Sequence, residues 1–126
     1  MKKFLALALI IVMALSLVSC GNTYKKATEA LMENIPSGYY YSEEQIADVK
    51  ATHDKHEHFD GEIIAIADFS TISTNGIPLY IYVYEFEKVE DAEYWYDNVS
   101  TGWTYARIKN NVVIYGTNAI INDIKL

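Results

Sequence analysis

The sequence predicts an α+β fold, with a mostly antiparallel sheet of about four strands and helices packed on one face. Three observations carry this. Apolar residues recur at helical spacing before residue 53, β-prone runs take over from Glu62, and a further helical pattern separates two pairs of those runs.

Taken in order, Thr23 reads as the N-cap of a helix over 24–34, with Ala27, Ala30, Leu31 and Ile35 along one face. Pro36-Ser37-Gly38 ends it. Tyr39-Tyr40-Tyr41 is a short β-prone run, and Ser42 with Glu44 and Gln45 following has the form of a capping box. A second, weaker helix is expected from about Glu43 to Thr52 through Ile46 and Val49, followed by a polar connector over 53–61 closing on Asp60-Gly61. Ile63 to Ala67 is an unbroken apolar run, and Asn75-Gly76 marks a chain reversal.

The clearest strand runs from Leu79 to Phe86. Leu79, Ile81 and Val83 point to one side, and Tyr80, Tyr82, Tyr84 and Phe86 to the other. Both faces are apolar, which predicts a central strand. Val89, Ala92, Tyr96 and Val99 then follow at helical spacing, with Glu90, Asp91 and Glu93 near the start where the helix dipole favours them. Trp95 falls out of phase with that face and is the expected exposed aromatic. Trp103 to Lys109 and Val112 to Tyr115 form a hairpin through Asn110-Asn111, Gly116 closes the last strand, and Thr117 caps a terminal helix carrying Ile120, Ile121 and Ile124. The step from Leu79 through the Val89–Val99 helix to Trp103 implies a right-handed crossover, compatible with a ferredoxin-like arrangement.

The N-terminal residues obey different rules. Lys2 and Lys3 precede an apolar and small-residue stretch from Phe4 to Val18, the pattern of a secretory signal. As a helix that stretch would reach about 22 Å, short of the roughly 30 Å of a hydrocarbon core. Leu17-Val18-Ser19-Cys20 resembles the lipobox of bacterial lipoproteins. The resemblance implies cleavage between Ser19 and Cys20, a diacylglyceryl thioether on Cys20 and a fatty acid on the new amino group. It implies no other cofactor. The division is then a signal at 1–19, a lipidated tether at 20–23 and a single domain at 24–126, held at the extracytoplasmic face of the cell membrane. The remainder is similar to small lipoprotein domains from Gram-positive bacteria in its Tyr-rich strand, its acidic helix with Ala92, and the segment Val112-Val113-Ile114-Tyr115-Gly116-Thr117. That likeness covers about half of the mature chain and carries no catalytic residue across.

Cys20 is the only cysteine, so the domain holds together without an internal disulfide. The chain has 10 basic and 17 acidic residues. Cleavage would remove Lys2 and Lys3 and leave 8 against 17. Such a balance opposes nucleic-acid backbones and anionic lipid headgroups alike, so neither a nucleic-acid partner nor docking flat on the membrane through a basic patch is expected.

Three constellations invite chemistry. His53, His56 and His58 stand among Asp54, Glu57 and Asp60, and imidazole with carboxylate suits a transition metal. His53, His56 and Glu57 would share a face if the helix ran through residue 57; the alternative is a solvated connector that binds nothing. Eleven tyrosines form the second. Tyr80, Tyr82 and Tyr84 make a ladder that exposure would suit to a sugar or protein partner and burial would make plain cross-strand packing. The acids Glu85, Glu87, Glu90, Asp91, Glu93 and Asp97 read as a solvated helix face. No nucleophile elbow, phosphate-binding glycine loop, His-Glu-x-x-His or Cys–His pair is present, so no enzyme is expected. The reading is a lipid-anchored binding or interaction module with an envelope partner; the alternative is a metal-binding lipoprotein using the histidines.

Overall fold

The computed structural model describes residues 22–57, 61–102 and 105–126, with the backbone alone for 53–57. The chain is α+β. Helix α1 covers 22–34, strand β1 is Tyr39–Tyr40, helix α2 is Glu43–Glu57 and β2 is Ile63–Asp68. The short strands β3 (Thr71–Ile72) and β4 (Pro78–Leu79) follow, then β5 (Ile81–Phe86), helix α3 (Val89–Val99), β6 (Tyr105–Lys109), β7 (Val112–Gly116) and a 3₁₀ turn at Ala119–Asp123.

Five strands form one antiparallel sheet in the order β1-β2-β5-β7-β6, and β3 pairs with β4 as a separate ribbon. The register defines two ends. Ile63, Phe86, Val112 and Lys109 lie at the lower end; Tyr39, Asp68, Tyr82, Tyr115 and Tyr105 lie toward the upper.

As its two apolar faces predict, β5 is central, between β2 and β7. Ile81 and Val83 pack with Ala27 and Leu31 of α1 and with Ile121 and Ile124, all buried. Tyr84 and Phe86 pack on the opposite face with Ala92 and Trp95 of α3, while Ile46 and Val49 of α2 lean on the same cluster. Helices therefore cover both faces, not one as the sequence suggested. Alternation shows that β5 needs two covers, but not which helix supplies which. One split β–α–β unit is present, since β7 lies between β5 and β6. The second unit that a ferredoxin-like arrangement requires is replaced by direct antiparallel pairing of β1 with β2.

Local chemistry sets most boundaries. The capping box at α2 is reciprocal: the Gln45 N–H donates to Ser42 Oγ (3.2 Å) and the Ser42 N–H to Gln45 Oε1 (2.9 Å). The helix continues past Thr52 to Glu57, replacing part of the expected connector. Gly76, at φ 78°, turns the β3–β4 ribbon, and Asn110, at φ 53°, turns the β6–β7 hairpin in the left-handed region that Asn tolerates. Asn111 ties this hairpin to β5, donating from Nδ2 to the Phe86 carbonyl (2.6 Å) while its own carbonyl accepts from the Phe86 N–H (2.8 Å). At the upper end Gly116 lies so close to β5 that a Cβ would overlap the Tyr80 carbonyl.

Two expected caps are reassigned. Thr23 lies inside α1, buried, and its Oγ1 accepts from Asn110 Nδ2 (3.1 Å). The helix includes Asn22 and Thr23, which the sequence assigned to the tether. Thr117 accepts from the Tyr80 N–H (2.9 Å), while Asn118 caps the final turn by accepting from the Ile120 N–H (3.1 Å). That turn is 3₁₀ rather than a full α-helix.

Trp95 is 1% exposed, contrary to its expected position in water. The buried pair on α3 is Ala92 and Trp95, three residues apart, whereas Val89 at the helix start is 43% exposed. Phasing the stripe from Val89 displaced it; the small Ala92 leaves room for the indole against Tyr84 and Phe86, with ring centroids 5.0 and 5.6 Å away. The exposed aromatic of this helix is Tyr94. We expect Trp95→Ala to cost about 3–5 kcal/mol, a fall in Tm of roughly 12 °C or more for a domain of this size. Tyr94→Ala should stay within about 0.5 kcal/mol of the parent. Thermal unfolding of the two variants checks both.

Candidate functional site

The register brings one transverse row of side chains to the upper end of the α2/α3 face: Tyr39 of β1, Asp68 of β2, Tyr82 of β5 and Tyr115 of β7. Tyr41 and Tyr80 extend it along the strands. Tyr39 stacks on Tyr41 (centroids 5.6 Å apart, planes 18° apart), and Tyr80 on Tyr82 (6.4 Å, 7°). Spacing of i, i+2 on a strand produces these parallel ribs, because alternate side chains share a face.

The aromatic row has a covered half and an open half. Tyr84, Phe86 and Tyr115 are buried beneath α3, Tyr82 is half-buried, and Tyr80 and Tyr39 are 38% and 49% exposed. The tyrosine ladder thus begins as core and ends as surface.

Asp68 is set between the two stacks, 8% exposed. Its Oδ2 accepts from the hydroxyls of Tyr39 (3.2 Å) and Tyr41 (3.4 Å), and its Oδ1 accepts from the Ser70 N–H (2.9 Å). Desolvation first, and the Asp68 charge second, raise the pKa of Tyr39, Tyr41 and Tyr82. Tyr84 is pushed up to about 12, chiefly by burial. All remain neutral donors at physiological pH.

The neighbouring β3–β4 ribbon adds apolar area at the same end, with Ile72 74% and Ile77 58% exposed. With Tyr39 and Tyr80 these make up four of the eight exposed large hydrophobic residues among the described residues; Tyr40 turns to the α1 side, its ring centroid 6.5 Å from that of Tyr24. No Lys or Arg occurs over 36–42 or 66–83, which include the residues that build this end. The surface therefore offers apolar contact, phenolic hydroxyls and negative charge. It suits non-covalent recognition of a partner that brings hydrogen-bond donors or positive charge.

The residues singled out by sequence fall elsewhere. Cys20 and His58 lie outside the described residues. Helix α2 does run through Glu57, so His53, His56 and Glu57 occupy positions i, i+3 and i+4 of one helix. Among the described residues no group of three or more His, Cys, Asp or Glu side chains could hold a metal ion. Glu85, expected on a solvated helix face, sits in β5, 8% exposed, with no hydrogen-bond partner for Oε2 among the described residues; burial raises its pKa. Asp68 was missed altogether. Its signal was a single charge ending the apolar run Ile63 to Ala67, in a strand whose alternation places it opposite tyrosines.

A tyrosine whose folded pKa exceeds its unfolded value stabilises the fold fully below the unfolded value, near 10, and loses that contribution as pH rises toward the folded one. The domain should therefore lose stability above about pH 10. Asp68→Asn should soften the loss and let part of the tyrosine population ionise at lower pH. Absorbance titration of tyrosinate with parallel denaturant curves measures both.

No protein-family model matches the chain, and no curated protein or solved structure matches it either.

Proposed function

We propose that the protein is a membrane-anchored bacterial lipoprotein whose domain is a non-catalytic binding module at the cell envelope. It engages an envelope protein through the upper tyrosine and ribbon surface. The anchor reading is supported by the signal-like residues 1–19 and the lipobox-like Leu17-Val18-Ser19-Cys20. No helix among the described residues is long and apolar enough to cross a membrane. Two acyl chains on Cys20 would hold the domain stably at the bilayer, where a single chain gives only marginal binding.

The observation that carries the binding reading is a separation of ends. Helix α1 begins at the lower end, where Thr23 meets Asn110, and reaches the upper end near Phe69, which packs against Gly38. An anchor at Cys20, two residues before Asn22, would hold the lower end at the membrane. The exposed apolar side chains Tyr39, Ile72, Ile77 and Tyr80 cluster at the other end. Surface of this kind on a soluble domain marks interaction sites.

A photoreactive residue placed at Tyr39, Ile72 or Tyr80 in cells should yield one discrete protein adduct. The same residue at Tyr94 should yield none, and Cys20→Ser should release the protein from the membrane fraction with loss of the lipid mass. Adducts of equal intensity from Tyr94 would remove the binding surface, and unchanged membrane association of the Ser variant would remove the anchor.

A second reading, transition-metal binding by His53, His56 and His58, gains support from the continuity of α2 through Glu57. Calorimetric titration with Zn²⁺ and Ni²⁺ separates it. Heat that disappears when all three histidines become Ala would establish it, and no heat would dismiss it.

A further inference from the structure

The net charge conceals a strong asymmetry. Of the basic residues with described side chains, Lys25 and Lys26 lie in the first turns of α1, Lys88 follows β5, and Lys109 ends β6, all at the lower end. Lys50 reaches down to Glu62 at the foot of β2 (2.5 Å), and Lys109 Nζ donates to the Leu126 carbonyl (2.6 Å), which brings Lys125 to the same end. Arg107, in the middle of β6, is turned inward to the carbonyls of Ile121 and Ile124.

A groove of about 240 Å³ opens there, lined by Asn22, Thr23, Lys26, Lys109, Asn110 and Leu126. It has two lysines and no carboxylate side chain. Lys25 stands beside it, loosely paired with Glu29 at 3.9 Å, and Lys125 shares the adjoining groove with Lys26, where Glu29 and Glu33 also line the wall. The other acids of this end stand apart from the groove: Glu87, Glu90 and Asp91 lie at or just before the start of α3 on the opposite face of the sheet, Glu62 pairs with Lys50, and Glu85, on the α1 face, is buried. The side-chain charge lining the groove itself is therefore basic.

Resting on the anchor reading above, we propose that the Lys26–Lys109 groove is a seat for the headgroups of anionic phospholipids, and that it leans the domain onto its α1 side. Two features identify the occupant. The groove includes Asn22 and Thr23, the first described residues, so it begins two residues from Cys20, a reach of about 7 Å. Its charge complements anionic headgroups and opposes that of the rest of the molecule. Net acidity does not prevent this, because exposed charges more than about 10 Å away are largely screened at moderate salt, whereas lysines held at the surface feel its full potential.

The test uses the full lipidated chain, reconstituted into vesicles of phosphatidylcholine alone or with phosphatidylglycerol added. Surface amines are acylated briefly and read by mass spectrometry. Labelling of Lys26 and Lys109 should fall about fivefold in the anionic vesicles and recover in high salt, while Lys88 stays unchanged. Lys26→Gln with Lys109→Gln should keep vesicle binding and lose the lipid-dependent protection of Lys25 and Lys125. Equal labelling of Lys26 and Lys109 in both vesicle types, with the protein bound to each, overturns the headgroup seat and leaves the anchor standing. A protein that fails to float with neutral vesicles overturns the anchor reading, and this inference with it.

Discussion

The structure depends on β5 being buried on both faces. A strand with Ile81 and Val83 on one side and Tyr84 and Phe86 on the other leaves a large apolar area in water unless two layers cover it. Each such side chain contributes about 1.5–3 kcal/mol when fully removed from water. With no second cysteine for a disulfide, this packing is what holds the domain together. The demand for two covers places α1 and the 3₁₀ turn on one side and α2 and α3 on the other. It also places β2 and β7 alongside, since a central strand needs hydrogen-bonding partners at both edges.

From that arrangement the two ends acquire different characters. Six-residue strands span about 20 Å, so the ends are distinct surfaces rather than neighbouring patches. Helix α1 must begin at the end where Asn110 receives Thr23, which fixes where any preceding anchor joins the domain. Helix α3 covers Tyr84, Phe86 and Tyr115 but leaves Tyr80, Tyr82 and Tyr39 beyond its reach. Aromatics that would be core under a longer helix become surface, and the carboxylate of Asp68 organises their hydroxyls. Lysines gather where the chain enters, and tyrosines where it is farthest away.

Much of this was legible in the residues. Alternation from Leu79 to Phe86 identified the central strand, although Leu79 itself falls in the ribbon strand β4; Ser42 with Gln45, one of the two partners expected, forms the α2 cap; and Asn75-Gly76 and Asn110-Asn111 identified the two reversals. What stayed hidden was long-range. Thr23 and Thr117 look like caps, but each is taken by a distant partner, Asn110 and Tyr80. Trp95 looked exposed because the stripe was phased from Val89, a helix-start residue that stays largely exposed. Glu85 and Asp68 carry charges that local pattern assigns to water, and only their cross-strand neighbours show them to be enclosed. The segregation of lysines was present in the sequence as long stretches without Lys or Arg, but it acquires meaning only when the register brings the intervening lysines to one end.

The central claim is one of orientation: the end bearing the start of α1 faces the bilayer and the β3–β4 ribbon points away. It is tested most directly by energy transfer from a dye on the lipidated protein to acceptors in the bilayer surface, with the dye at Lys88→Cys or at Asn75→Cys. The two sites are exposed and lie at opposite ends of the sheet. Strong transfer from position 88 and weak transfer from position 75 is the predicted result; equal transfer, or the reverse order, would contradict it.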